Sequence, residues 1–391
     1  MTVVTQGLRL ACFTLLLVLA GCKGSEGGRS AAPSGEREDL ETIATVDDEP
    51  FVYNGNVFVL PVSESLARVR LPVRKYTAKF YEHFDDQFDF LMFVSNIDDP
   101  YHDIFGTYHP VRNDTVGIGQ KTFSRRAYRR LAARLQGVMH FPGYDLIRLG
   151  PSLHELMHRW ANHVVPWERP SGWWGRLVPG TGSSIHWGFS SADGQLGGFR
   201  LADLVDHGNG QYSAGRFGLI ANNGNSVPYS PIELYLAGFL PLEEVPDLTI
   251  AEDGDWLVDE KGVYTATDDR HLMFTASQLT VYTAEDLVAE HGERVPAYPD
   301  THRNFRAAAI LLIDEAHPAV RPKLDTLSED VSWFSEDGHG GGSLPDGRRL
   351  YNFFGATGGR ATIEMDDLLR YNTRIPVRAM EGQAPSEPPR P

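Results

Sequence analysis

The sequence predicts an α+β fold on three observations. Strand-like runs stand at Val57 to Val62 and Phe88 to Ser95, an amphipathic helix pattern opens at Pro151, and apolar helical periodicity recurs in the downstream half. Hydrophobic residues make up 41% and aromatic residues 11% of the 391, enough to build a sizeable core. No internal repeat and no membrane-length apolar span occurs.

Ahead of this body, Ala11 to Ala20 form an apolar run after the single positive charge of Arg9, too short for a bilayer and suited to a signal peptide core, so residues 1–21 read as a signal. From Lys23 to about Glu49 the chain is rich in Gly, Ser, Pro and acids, the composition of a tether. As a flexible coil it would reach about 30 Å.

The body, about residues 50–371, opens with the strand Val57 to Val62, a short helix from Thr77 to Phe84, and the strand Phe88 to Ser95. A loop through Asp98, Asp99 and Pro100 leads to a helix expected from the cap Ser124 to near Gly137. Tyr128, Leu131, Ala132 and Leu135 line one side of it, and Arg125, Arg126, Arg129, Arg130 and Arg134 form a solvated face on the other. Val138 to Phe141 fits a short edge strand. Then come a helix at Ala284 to His291, a strongly apolar helix at Phe305 to Ala316 and a strand pair near Tyr351 to Ile363. The last twenty residues, from Asn372, read as an unstructured tail.

Chemistry concentrates at His154-Glu155-Leu156-Met157-His158. Two histidines four apart lie one turn above each other on a helix, where neutral imidazoles can grip one Zn²⁺ and the intervening Glu155 can serve as general base toward a coordinated water. Composition alone yields such a pentapeptide about 0.03 times per chain. Gly150 and Pro151 suit the helix start, and Leu153, Leu156, Met157, Trp160, Ala161 and Val164 make an apolar stripe beside the histidines. A rival reading makes Ser152 and Glu155 a capping box.

Zinc needs a third protein ligand and one open position. Glu233, in Ser230-Pro231-Ile232-Glu233-Leu234-Tyr235, is an isolated acid in an apolar helical turn, so its burial would call for a cation. It equally fits a capping box with Ser230. His186, after a loop rich in Trp and Gly, is a candidate for that third ligand or for a donor to a developing oxyanion, beside the reading as a plain structural histidine. His163 would need the helix to break at Ala161.

The pentapeptide resembles the zincin zinc metallopeptidases, and Glu233 would make the site gluzincin-like. The metzincin continuation is absent, since Ala161 and Val164 stand where its Gly and third His belong. What the resemblance implies is a two-lobed α+β enzyme. A small sheet and the active-site helix would form the N-terminal lobe, about 50–165, and a mainly helical C-terminal lobe, about 166–371, would pack behind the metal. An edge strand would hold extended peptide substrate by β-augmentation. The gap from His158 to Glu233 is longer than in familiar gluzincins, and their Asn-Glu opening is missing.

Leu19-Ala20-Gly21-Cys22 resembles the bacterial lipobox, in which the cysteine is lipidated. That implies a lipid anchor on Cys22 and, with Lys23 rather than a retention aspartate next, an outer-membrane address. Cys12 leaves with the signal and Cys22 is consumed, so no disulfide or thiolate metal site is available. The formal charge of −16, or −17 without Arg9, disfavours nucleic acid and anionic membrane surfaces as partners. Gly338-His339-Gly340 has no accompanying nucleophile elbow, and Gly119-Gln120-Lys121-Thr122 lacks the upstream Gly of a phosphate loop. The expected activity is therefore zinc-dependent endopeptidase action by Glu155 on a membrane-anchored chain. The alternative is a non-catalytic envelope lipoprotein whose aromatic loop, Trp167 to Trp187, binds glycan or protein.

Overall fold

Asn304–Ile313, in which Ala307-Ala308-Ala309-Ile310-Leu311-Leu312 run unbroken, is the strand around which the molecule is built. The computed structural model describes residues 41–382, except 68–70, 99–105, 162, 165–184, 261–262, 269–270, 339–341 and 345. The signal peptide, Cys22, most of the tether, most of the Trp167 to Trp187 loop and the end of the tail lie outside the described residues.

The principal sheet has eight strands: β1 (Phe51–Tyr53), β2 (Val57–Pro61), β3 (Phe90–Ser95), β4 (Thr107–Pro110), β5 (Gly137–Phe141), β6 (Asn304–Ile313), β7 (Thr362–Glu364) and β8 (Arg378–Met380). Their order is β8-β1-β2-β6-β3-β5-β4, with β7 beside the start of β6. The four inner strands β2, β6, β3 and β5 are mutually parallel, whereas β4 is an antiparallel edge. β1 runs against β2, and β8 follows β1 in parallel.

Side chains alternate across this sheet as the pleat requires. From β6, Ala308, Ile310 and Leu312 join Phe58, Leu91 and Phe93 on one face. Ala307, Ala309, Leu311 and Ile313 join Val57, Val59, Met92 and Met139 on the other. The first face is covered by α1 (Val73–His83), whose Val73, Tyr76, Thr77, Phe80 and Tyr81 recur at helical spacing and are buried. The second is covered by α2 (Ser152–Met157), α3 (Pro231–Ala237) and α4 (Arg321–Ser335), through Leu153, Leu156, Ile232, Leu236, Leu324 and Leu327. At roughly 1.5–3 kcal/mol per large apolar side chain fully buried, this three-layer stack dominates stability.

A smaller body stands beside the stack. Four antiparallel strands, Val205–Gly208, Gln211–Gly215, Asp255–Trp256 and His271–Thr275, gather Phe189, Phe199, Tyr212 and Phe274 into a separate core. Leu248–Glu252 and Gln278–Tyr282 pair as a further two-stranded sheet.

This architecture corrects the expected fold class: the sheet is large and mixed, and residues 166–371 are not a mainly helical lobe. The decisive element is β6, read as a helix at Phe305 to Ala316. A continuous apolar run carries no period, and a parallel strand buried on both faces looks the same as a buried helix. Because β6 lies between β2 and β3, a boundary near residue 165 does not part the sheet.

Val138 to Phe141 belongs to an interior strand, and the edge is β4. The helix expected from Ser124 to Gly137 is α-helical only at Arg126–Arg129. Asp86 takes the backbone N–H groups of Ala133 (2.6 Å) and Arg134 (3.2 Å) that a longer helix would spend on its own carbonyls. Where a strand pair was expected near Tyr351 to Ile363, the Asn352 side chain accepts from Gly355 N–H at 2.8 Å and starts a short helix, Phe353–Ala356. Neither end of the body is wholly tether or tail, since Thr42–Ala44 pairs with Ala319–Val320 and Arg378–Met380 extends the sheet. Ala284–His291 is helical where it was expected.

Candidate metal centre

The chain leaves β5, turns through Leu146–Leu149 and enters α2 at Ser152. Asn225 fixes this entry: its amide donates to the carbonyls of Ile147 and Arg148 and to Ser152 Oγ, and its oxygen accepts from Leu153 N–H at 3.3 Å. The helix is short and ends with His158 as its cap residue. His154 and His158 are nonetheless one turn apart as the four-residue spacing requires, and their Nε2 atoms lie 3.1 Å from each other. Two nitrogens about 2.05 Å from a tetrahedral zinc would be about 3.3 Å apart, so the pair is spaced for one ion.

His186 is the third member. Its ring stacks against His154 with centroids 5.3 Å apart and meets His158 edge-on at 4.9 Å. One nitrogen from each of His154, His158 and His186 falls within 4.8 Å of the others, and no other group of metal-ligating side chains converges in this way among the described residues. The position of His186 is set by its neighbour Trp187, which is fully buried, donates its backbone N–H to Leu196 O at 2.9 Å and its indole N–H to Glu233 Oε1 at 2.9 Å.

The protonation pattern suits a cation. His154 Nδ1–H donates to Gln195 O at 2.9 Å, which fixes the tautomer and leaves the Nε2 lone pair pointing toward His158. Burial pushes the His154 imidazole down to about 4, so it is neutral near pH 7. Burial, reinforced by His154 nearby, also pushes His158 and His186 well below the ordinary histidine range. Burial alone pushes the Glu155 carboxyl up to about 8. A buried carboxyl next to neutral imidazoles gains its charge cheaply when a dication arrives.

Glu155 also lies under the approach to the sheet edge. A Cβ on Gly106, the residue before β4, would fall 2.7 Å from Glu155 Oε1 and 2.9 Å from Pro151 Cγ. Only glycine lets backbone pass this close to the carboxyl.

Glu233 goes elsewhere. It is fully buried on α3, and its carboxylate accepts four N–H groups: Trp187 Nε1 and Leu196 N on Oε1, both at 2.9 Å, and Gln195 N and Ser230 N on Oε2, both at 3.0 Å. The last contact is the capping-box bond. A carboxylate so occupied is a poor third ligand, and the four donors answer the desolvation cost that had pointed to a metal. Burial still raises its carboxyl above the usual range, with the four N–H groups pulling the other way.

His163 is half-buried, its Nε2 meets Gln120 Nε2 at 3.1 Å, and it is not one of the three converging histidines. Cys22 lies outside the described residues. Gln195, Gly194 and Gly106 belong to no motif in the sequence, and Trp187 stands out there only as the end of the aromatic loop. The Gly194 to Gly198 run was the available signal, since such runs mark close backbone approaches.

Comparison of this chain with family models, curated proteins and solved structures finds no match.

Proposed function

We propose that the protein is a zinc-dependent endopeptidase whose metal is held by His154, His158 and His186, with Glu155 as general base. One observation carries this reading: three neutral imidazoles converge within 4.8 Å of one another, and two of them belong to the short helix that also bears the buried carboxyl of Glu155. Three neutral nitrogens and one open position are the usual ligand count of catalytic zinc. When bound, Zn²⁺ supplies Lewis acidity toward a carbonyl and lowers the pKa of its water to about 7.

The chain's own residues do the rest. Gln195 O holds the His154 tautomer, and Glu155 takes a proton from the attacking water and passes it to the leaving amine. The strand β4, entered over Glu155 through Gly106, ends the strand order of the sheet among the described residues and suits an extended peptide added at that edge. Attachment to a bacterial outer membrane by lipid on Cys22 belongs to the proposal and rests on the sequence signals alone. Among the described residues no helix is long and apolar enough to cross a membrane.

The test joins metal analysis to a peptide-library digest. The parent is expected to purify with about one equivalent of zinc and to cleave in a chelator-sensitive way. Glu155→Gln should keep the metal and lose about 10²–10⁴-fold in turnover. A parent that binds no metal and cleaves nothing is the outcome that leaves only the binding-protein alternative.

A further inference from the structure

Glu233, displaced from the ligand set, holds the strands of chain that make the set. We propose that Glu233 is the positioning residue of the metal cradle, its single carboxylate locking both the segment that carries His186 and the segment that orients His154. The proposal rests on the three-histidine metal reading.

The contacts form two short relays. Glu233 Oε2 accepts from Gln195 N–H, and the carbonyl of that same residue accepts from His154 Nδ1–H at 2.9 Å. Glu233 Oε1 accepts from the indole of Trp187, the residue next to His186, and from Leu196 N–H. Trp187 N–H then donates to Leu196 O, so the two segments are tied to each other and to one carboxylate.

The loop is shaped for this grip. A Cβ on Gly194 would lie 2.4 Å from Glu233 Oε2 and 2.5 Å from its carboxyl carbon, so the backbone closes on the carboxylate where no other residue fits. Gly197 and Gly198 adopt positive φ, and Phe199 N–H returns to Ser190 O at 2.8 Å, closing a turn whose flanks Phe189 and Phe199 sit in the smaller core. Gln195 is further held by its side-chain amide, which donates to Gly224 O and Val227 O.

Four N–H donors converging on two oxygens require a carboxylate. A glutamine offers one acceptor oxygen and turns an NH₂ group toward two donors, so Glu233→Gln keeps shape while breaking half the relay. A residue that merely caps α3 would show its loss in stability alone. A residue that positions the cradle shows it in the imidazole tautomer and in the metal.

The experiment uses the full mature chain as parent, Glu233→Gln and Trp187→Phe, with far-UV circular dichroism to confirm folding. Long-range ¹H–¹⁵N correlation on metal-free protein reads the His154 tautomer. Titration with Co²⁺ against a chelator, followed by visible absorption, reads affinity and ligand geometry. The expected result is a single Nδ1–H tautomer for His154 in the parent, mixed tautomers in Glu233→Gln, a roughly 10–100-fold weaker Co²⁺ affinity and altered visible bands.

Trp187→Phe, which keeps the carboxylate and its three backbone donors, should show a smaller change in the same direction. It carries the test if Glu233→Gln does not fold. Variants with parental tautomer, affinity and bands but a lower melting temperature overturn the proposal. A parent that binds no Co²⁺ while its His154 tautomer still depends on Glu233 overturns the metal reading and leaves the positioning role standing.

Discussion

His186 falls in the histidine cluster and Glu233 does not, and the reason lies in what each side chain meets. An acid alone in an apolar turn needs compensation for lost hydration, and a cation is one source of it. Four N–H groups are another. Sequence spacing cannot distinguish the two, because three of the donors arrive from residues 187 to 196, far along the chain. His186 gave no periodic signal, standing after a stretch rich in Trp and Gly. The consequence is measurable. His186→Ala should weaken zinc affinity by more than the ~10–100-fold typical of losing an outer hydrogen-bond partner, as read by competition with a chromogenic chelator. Unchanged affinity would remove His186 from the ligand set.

Elements were legible where a period was visible or an apolar run was short, and obscure where a long run was buried on both faces. The four-residue histidine spacing and the helix Ala284–His291 carry a helical period, whereas the strands starting at Val57 and near Phe90 are buried on both faces and read correctly because their apolar runs are short. β6 is buried on both sides and has no polar phase from which to infer a period. Its alternation exists only in space, even-numbered residues facing α1 and odd-numbered ones facing α2. Leu311 lies on the α2 side with 1% of its surface exposed. Leu311→Ala should cost about 2–5 kcal/mol in a urea titration, the range for a leucine lost from a packed core. A cost below about 1 kcal/mol would mean that this part of the stack is loosely packed.

At the scale of the whole molecule, one buried acid lends the fold a pH dependence independent of the metal. Asp330 on α4 packs against the Leu146–Leu149 turn and pairs with Arg148 at 3.1 Å. Burial outweighs that partner and pushes its carboxyl from 3.8 to about 6. A folded-state value above the unfolded one means the associated stability is present below about pH 4 and is lost as pH rises through 6. Asp330→Asn should therefore raise the melting temperature over the parent by more at pH 7.5 than at pH 4. An advantage that is equal at the two values, or larger in acid, contradicts the assignment.

The insertion of β6 between β2 and β3 has a bearing on biosynthesis. A nascent polypeptide displays two long hydrophobic ribbons by residue 95 and does not produce the one that separates them until residue 313. For some two hundred residues of elongation those ribbons keep unpaired N–H and C=O rows, open to one another in the wrong register or to neighbouring molecules. Fragments ending before residue 304 are thus expected to aggregate, and the emerging half needs shelter until residue 313 has been made.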